Sequence, residues 1–234
     1  DDPDVAVKNV NWDLIAYIID TMFSELTPLT DDELFAHCES VKNLRKRTEE
    51  WYEGMISFDT LYGAADTTNN FTKVELQTKD PSDTAYRNIT NDADPLVLEL
   101  TRFTKPLSAY AAETFPGYAF GQSNITLGEH IQAMRQAYPT VVETDYSAYD
   151  GTQNIITWII ETMIYSHVYP NDRDRVVKLK YDSFACRVKS EGFTYSTMGT
   201  RHSGAADTSL MNTLLNLILT TYSRLTYLKD LDSI

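Results

Sequence analysis

Cysteine is nearly absent from these 234 residues; Cys38 and Cys186 are the two in the chain. They lie far apart with no metal-ligand spacing, which argues against a disulfide framework and against a cysteine zinc site. Both read as thiols, which fits a reducing compartment. Histidine is almost as sparse. His37, His130, His167 and His202 are scattered without zinc spacing and read as core or surface residues, with His202 set apart because Ser203 follows it. No apolar run approaches the roughly 20 residues of a membrane span. The opening Asp1-Asp2-Pro3-Asp4 lacks the basic and apolar regions of a secretory signal, so the Asn-x-Thr sequons at Asn70, Asn88 and Asn124 read as chance. Basic residues are outnumbered, 20 against 34, leaving a formal net charge of −14. That balance weighs against a nucleic-acid partner unless the basic groups line a local channel, since phosphate needs a basic surface. There are no repeats and no low-complexity linker. The chain starts without Met, as a fragment or a processed product would.

What is present is enough for a sizeable core. A hydrophobic fraction of 42%, a charged fraction of 23% and fifteen tyrosines describe an ordered globular chain rather than a disordered one. Its length allows one large domain or two small ones. Apolar periodicity predicts a helix over 12–26 and a second from about 30 to 52. Residues 54–106 read as short strands and loops, with alternation at 71–76. A helix over 127–138 is ended by Pro139. A strand over 140–145 leads to a turn at Asp150-Gly151, then to a helix over 153–169 that Pro170-Asn171-Asp172 breaks. Residues 176–197 read as a hairpin turned at Ser190-Glu191-Gly192. A long helix then opens near Ser203-Gly204 and runs to about Leu228, with Leu210, Leu214, Leu217, Ile218 and Leu225 as its buried stripe. This order predicts an α+β fold.

Two short stretches carry the chemistry. In Thr144-Asp145-Tyr146-Ser147-Ala148-Tyr149-Asp150-Gly151-Thr152, two carboxylates sit five residues apart at the end of the expected strand. Sheet rims are where active sites often lie, and paired carboxylates repel each other unless a divalent cation joins them. Hard Mg²⁺ takes carboxylate and phosphate oxygens. In Ser203-Gly204-Ala205-Ala206-Asp207-Thr208-Ser209-Leu210-Met211-Asn212-Thr213, Thr208 and Asn212 are four apart and share one helical face. An N-cap and an amphipathic helix explain Ser203 and the leucines. They leave unexplained an asparagine, a modest helix former, on that face.

Together the two stretches resemble motifs A and B of the RNA-dependent RNA polymerases of positive-strand RNA viruses. Asp145-x4-Asp150-Gly151-Thr152 matches motif A in the form with an aromatic before the second aspartate. Ser203-Gly204-x3-Thr208-x3-Asn212-Thr213 matches motif B. Upstream, residues 71–75, 86–90 and 117–121 look like the fingers of nodavirus- and tombusvirus-like polymerases, where Lys73 and Arg87, and less closely Lys79, fall in the basic motif F region. The resemblance covers roughly residues 65–225.

The resemblance implies a cupped right-hand fold: fingers and N-terminal region over 1–139, and over 140–234 a portion of the palm, an antiparallel sheet backed by helices. It implies nucleotidyl transfer, in which an RNA 3′-hydroxyl attacks the α-phosphate of a nucleoside triphosphate at two Mg²⁺ or Mn²⁺ ions. In that scheme Asp145 and the Tyr146 carbonyl are metal ligands. Asp150 and Asn212, with Ser203 or Thr208, sense the ribose 2′-hydroxyl; Lys73 and Arg87 neutralise phosphate; Ser203-Gly204 supports the template. The implied partners are template and nascent RNA, nucleoside triphosphates, other viral replication proteins, and the part of the polymerase carrying the thumb and motif C. Motif C, Gly-Asp-Asp, occurs nowhere in this sequence, so a fragment inactive by itself is expected. Such polymerases work in the host cytoplasm on membrane-associated replication complexes. Two other readings stand beside this one. A hydrolase using Asp145 and Asp150 as an acid–base pair gives the second stretch no role. A polymerase-derived interaction scaffold without chemistry would follow if the natural reading frame lacked Gly-Asp-Asp.

Overall fold

The computed structural model describes residues 3–26, 67–72, 88–92, 94–115, 117–190 and 192–232. The helix expected over 30–52, Cys38, Lys73, Lys79 and Arg87 lie outside the described residues. The fold is α+β. Helices α1 (Pro3–Lys8) and α2 (Trp12–Met22) come first, followed by β1 (Thr67–Thr72), β2 (Asn88–Asn91), α3 (Asp94–Thr114) and α4 (Asn124–Ala137). Then come α5 (Ile155–Val168), α6 (Arg173–Phe184), β3 (Ala185–Ser190), β4 (Phe193–Met198) and α7 (Thr208–Asp232).

The core is helical. Leu14, Ile15, Ile18 and Ile19 of α2 follow the i, i+1, i+4, i+5 pattern of one helix face and are buried. They meet Ile160, Ile164 and Tyr165 of α5 and Leu210, Met211, Leu214, Leu215 and Ile218 of α7 in one cluster. Leu96, Leu100, Phe103, Leu107 and Ala111 of α3 join it. Their spacing of three and four carries α3 straight through Pro106. An internal proline costs about 3 kcal/mol. Two buried side chains of the leucine or phenylalanine class contribute about that much or more, so the five-residue stripe prevails over the breaker, and residues expected to be loop are helix instead.

The four strands form one sheet in the order β2-β1-β3-β4. The outer pairs are antiparallel, and β1 runs parallel to β3 with Thr68 opposite Val188. This sheet is mixed rather than purely antiparallel, and it draws strands from both sides of residue 139. The hairpin expected over 176–197 is shorter than predicted. Residues 173–184 are helical because Val176, Leu179, Lys180 and Ser183 lie on one buried face; packing overrides the β-propensity of Val176-Val177. The turn between β3 and β4 falls where expected, with Gly192 at φ +83°.

The strand expected over 140–145 is absent: residues 140–146 carry no regular secondary structure. No described strand pairs with them, and a strand without a ladder leaves its backbone groups to water. Val141 is 58% exposed and Val142 81%. The final helix begins at Thr208 rather than at Ser203, with 203–207 forming turns. Leu217, expected in its buried stripe, is exposed, while Met211 and Leu215 take buried places. No described helix is long and apolar enough to cross a membrane.

Candidate active site

Residues 147–152 form a tight turn that carries the second carboxylate, Asp150. Ala148 sits in the left-handed region at φ 51°, ψ 45°, which costs an L-residue about 1–2 kcal/mol. Residues Tyr149–Thr152 then form a single 3-10 turn, closed by the Gly151 amide donating to the Ala148 carbonyl at 2.8 Å. The Thr152 hydroxyl caps the Tyr149 carbonyl at 2.7 Å.

This turn is docked on α7 at two points. The Asn212 Nδ2 donates to Asp150 Oδ1 at 2.7 Å. A carboxylate only accepts, so the amide nitrogen is the group that faces it. One helical turn further on, Tyr146 donates its hydroxyl to Asn216 Oδ1 at 3.3 Å, with the Tyr146 and Tyr149 rings 5.2 Å apart. Asp145, the residue before Tyr146, is exposed, and no described residue bonds its carboxylate.

Ser203 and Gly204 are placed differently from Asp150 and Asn212. The Thr90 amide donates to Ser203 Oγ at 3.3 Å and the Gly204 amide to the Thr90 carbonyl at 2.9 Å, tying this turn to β2. A Cβ on Gly204 would lie 1.9 Å from Asn91 Oδ1 and 3.0 Å from the Thr90 carbonyl oxygen, so the close approach favours glycine, and any side chain there would have to displace Asn91. Thr208 donates to the His202 carbonyl at 2.7 Å, bracing the same turn. Thus Asp150 and Asn212 are joined, Asp145 is exposed five residues before Asp150, and Ser203, Gly204 and Thr208 form the strap leading into α7. Lys73 and Arg87 fall outside the described residues.

Two buried clusters escape the sequence reading. The first is ionic. Arg201 is bonded through Nη2 to Glu161 of α5, and its Nη1 lies 3.7 Å from Asp207 Oδ1. Lys180 of α6 reaches Glu161 at 2.7 Å and Asp207 Oδ2 at 2.6 Å. Burial works against both cations, yet Asp207 and Glu161 hold Lys180 and Arg201 above their ordinary pKa values. Burial would raise the Asp207 carboxyl, but Lys180 and Arg201 lower it. The four are among the residues lining a pocket of about 30 Å³, room for one or two waters. The signal in the sequence is Glu161 itself, a carboxylate inside the apolar run Ile159-Ile160-Glu161-Thr162-Met163-Ile164.

The second cluster centres on His202. Its Nδ1 meets Asp92 Oδ1 at 2.6 Å, and its Nε2 lies 3.3 Å from Cys186 Sγ and 3.2 Å from the Thr197 hydroxyl. Ser183 donates to Asp92 Oδ2 at 2.9 Å. Burial alone would lower the imidazole pKa; the Asp92 and Cys186 contacts reverse this and raise it from 6.5 to about 9. A raised folded-state pKa stabilises the fold fully below 6.5, and that stabilisation is lost as pH climbs through about 9. At about 1.36 kcal/mol per pH unit the loss amounts to roughly 3 kcal/mol. Urea denaturation at pH 6 and pH 9 is expected to show it, and His202→Gln is expected to flatten the difference. A His202→Gln protein with an unchanged pH slope would place the titrating group elsewhere.

Comparison with known proteins finds no matching family model and no matching curated protein.

Proposed function

We propose that this chain is a fingers-and-palm portion of an RNA-directed RNA polymerase with a right-hand fold, and that its candidate site binds a ribonucleoside triphosphate for transfer to an RNA 3′-hydroxyl. One observation carries the reading: the 2.7 Å hydrogen bond between Asn212 and Asp150. It joins the two stretches whose residue types and spacing resemble motifs A and B, across 62 residues of sequence. An acid–base hydrolase gives that amide no task.

The donor chemistry suits the implied ions. Mg²⁺ and Mn²⁺ take hard oxygens, commonly one or two carboxylates with substrate phosphates completing the shell. Asp145 offers an exposed carboxylate, and the Tyr146 carbonyl is a second oxygen of that kind. Among the described residues no three His, Cys, Asp or Glu side chains gather as a metal cluster, so further ligands would come from phosphate and from a carboxylate elsewhere in the full gene product. An ion held there would neutralise charge on the triphosphate. Asp150 and Asn212 read the sugar. A 2′-hydroxyl both donates and accepts, and a carboxylate beside an amide offers it both roles. A sugar lacking that hydroxyl leaves these groups unpaired, which disfavours it. The site is compatible with an acidic chain because phosphate binding depends on local charge rather than on the total.

The test compares incorporation of ribonucleotides and 2′-deoxynucleotides by the full gene product on an RNA template. Wild type is expected to favour the ribonucleotide, and Asn212→Ala to reduce that preference about ten- to a hundredfold. A wild-type protein indifferent to the 2′-hydroxyl would sink the reading.

A further inference from the structure

The Asp150–Asn212 pair spans two elements that are not bonded to each other by regular secondary structure. Asp150 belongs to the isolated 3-10 turn, and Asn212 lies in the second turn of α7. Something must fix their relative position to within a hydrogen bond's tolerance. Arg201 touches both sides. Its backbone amide donates to the Asp150 carbonyl at 3.0 Å. Its guanidinium faces Asp207, the residue before α7, whose carbonyl accepts from the Met211 amide at 2.8 Å. The same guanidinium is anchored on Glu161 of α5, and Lys180 of α6 closes the ring between Glu161 and Asp207. All four side chains are at most 5% exposed. Ion pairs so enclosed break even at best as a source of stability, because desolvation offsets the attraction. A fixed register between parts is their better-attested use.

We infer that the Arg201–Glu161–Lys180–Asp207 ring is the positioning device that sets the Asp150 turn against α7 and so determines how strictly the site selects the ribose 2′-hydroxyl. This rests on the proposed polymerase reading for its functional half and on geometry alone for its structural half. None of the four residues touches substrate in this scheme. They act through Asp150 and Asn212. Arg201 suits the task because its planar fork addresses two carboxylates in different directions, which a lysine ammonium on a flexible stem does less rigidly. Asp207 Oδ1 is buried and without a hydrogen bond among the described residues. Arg201 Nη1 lies 3.7 Å from it.

Two variants test this. Arg201→Lys keeps the charge and the backbone amide while removing the fork. Glu161→Gln with Lys180→Met removes one charge of each sign, so the interior stays balanced even if the first variant folds poorly. In the isotope-labelled chain, the Asn212 side-chain amide protons are expected to exchange with solvent about tenfold faster in either folded variant. In the full gene product, the preference for ribonucleotide over 2′-deoxynucleotide is expected to fall about three- to tenfold, chiefly through KM for the ribonucleotide. Unchanged Asn212 exchange in both variants overturns the positioning role, whatever the wild-type preference. Faster exchange together with a wild type that shows no sugar preference leaves the positioning role standing and overturns the polymerase reading instead.

Discussion

On the proposed reading, Asp145→Ala is expected to lower metal-dependent ribonucleotide transfer by the full gene product about 10³-fold or more. Charge stabilisation by a metal on a transferring phosphoryl group contributes several kcal/mol, and each 1.36 kcal/mol is about a factor of ten in rate. Asp145 is the exposed carboxylate of the pair, with no described residue bonded to it, so no described residue would compete with a cation for its oxygens. Asp150 differs in kind. Its Oδ1 is already taken by Asn212 at 2.7 Å, and its backbone carbonyl is held by Arg201. Asp150→Asn keeps an acceptor for Asn212 but loses the charge and turns the second acceptor oxygen into a donor. Its rate with ribonucleotides is expected to stay within about tenfold of wild type while sugar discrimination weakens. Single-turnover incorporation with matched ribo and 2′-deoxy substrates separates the two effects. If Asp150→Asn were as inactive as Asp145→Ala, both carboxylates would be metal ligands and the division of roles would be wrong.

That division is implied by the resemblance of the two stretches to paired motifs; what spacing displays directly is a shared helical face for Thr208 and Asn212. Thr208 and Asn212 are a helical turn apart whichever way the rest folds, and helix α7 does place Asn212 toward the Asp150 turn. The long amphipathic helices α5 and α7 were legible for the same reason: their apolar residues recur at three and four. What failed depends on partners far away in sequence. Val141 and Val142 look like a buried strand, but a strand exists only beside another, and no described one lies there. Val176-Val177 carry β-propensity, yet Val176 and Leu179 are packed as one face of a helix. Pro106 reads as a breaker until the leucines on both sides of it prove to be one buried stripe. The buried ring escaped altogether. Charged residues are ordinarily solvated, and nothing in the identity of Lys180 or Arg201 announces that each is enclosed with two carboxylates. Only Glu161, set among isoleucines, breaks the local pattern visibly enough to have been a clue.

The ring also has the largest consequence for stability. Asp207→Ala is expected to destabilise the fold by about 3–5 kcal/mol, because removing one partner of a buried ion pair leaves an uncompensated charge in the interior. Here Lys180, whose ammonium lies 2.6 Å from Asp207 Oδ2, would have to share Glu161 with Arg201, leaving two buried cations on one carboxylate. Arg201 would lose its second carboxylate, and the Tyr165 hydroxyl, 3.2 Å from the same Oδ2, would keep only Thr104. At about 2–4 °C per kcal/mol for a domain of this size, the melting temperature should fall by roughly 10 °C. The decisive comparison is Asp207→Leu combined with Lys180→Met, which removes both ends of one pair and leaves Arg201 with Glu161. Apolar replacements of similar volume often cost little or even stabilise, so the double variant should be at least about 2 kcal/mol more stable than the single. Chemical denaturation of both proteins at neutral pH measures the difference. A double variant as unstable as Asp207→Ala would mean that the aspartate's main contribution is to the backbone entering α7 rather than to the charge balance of the ring.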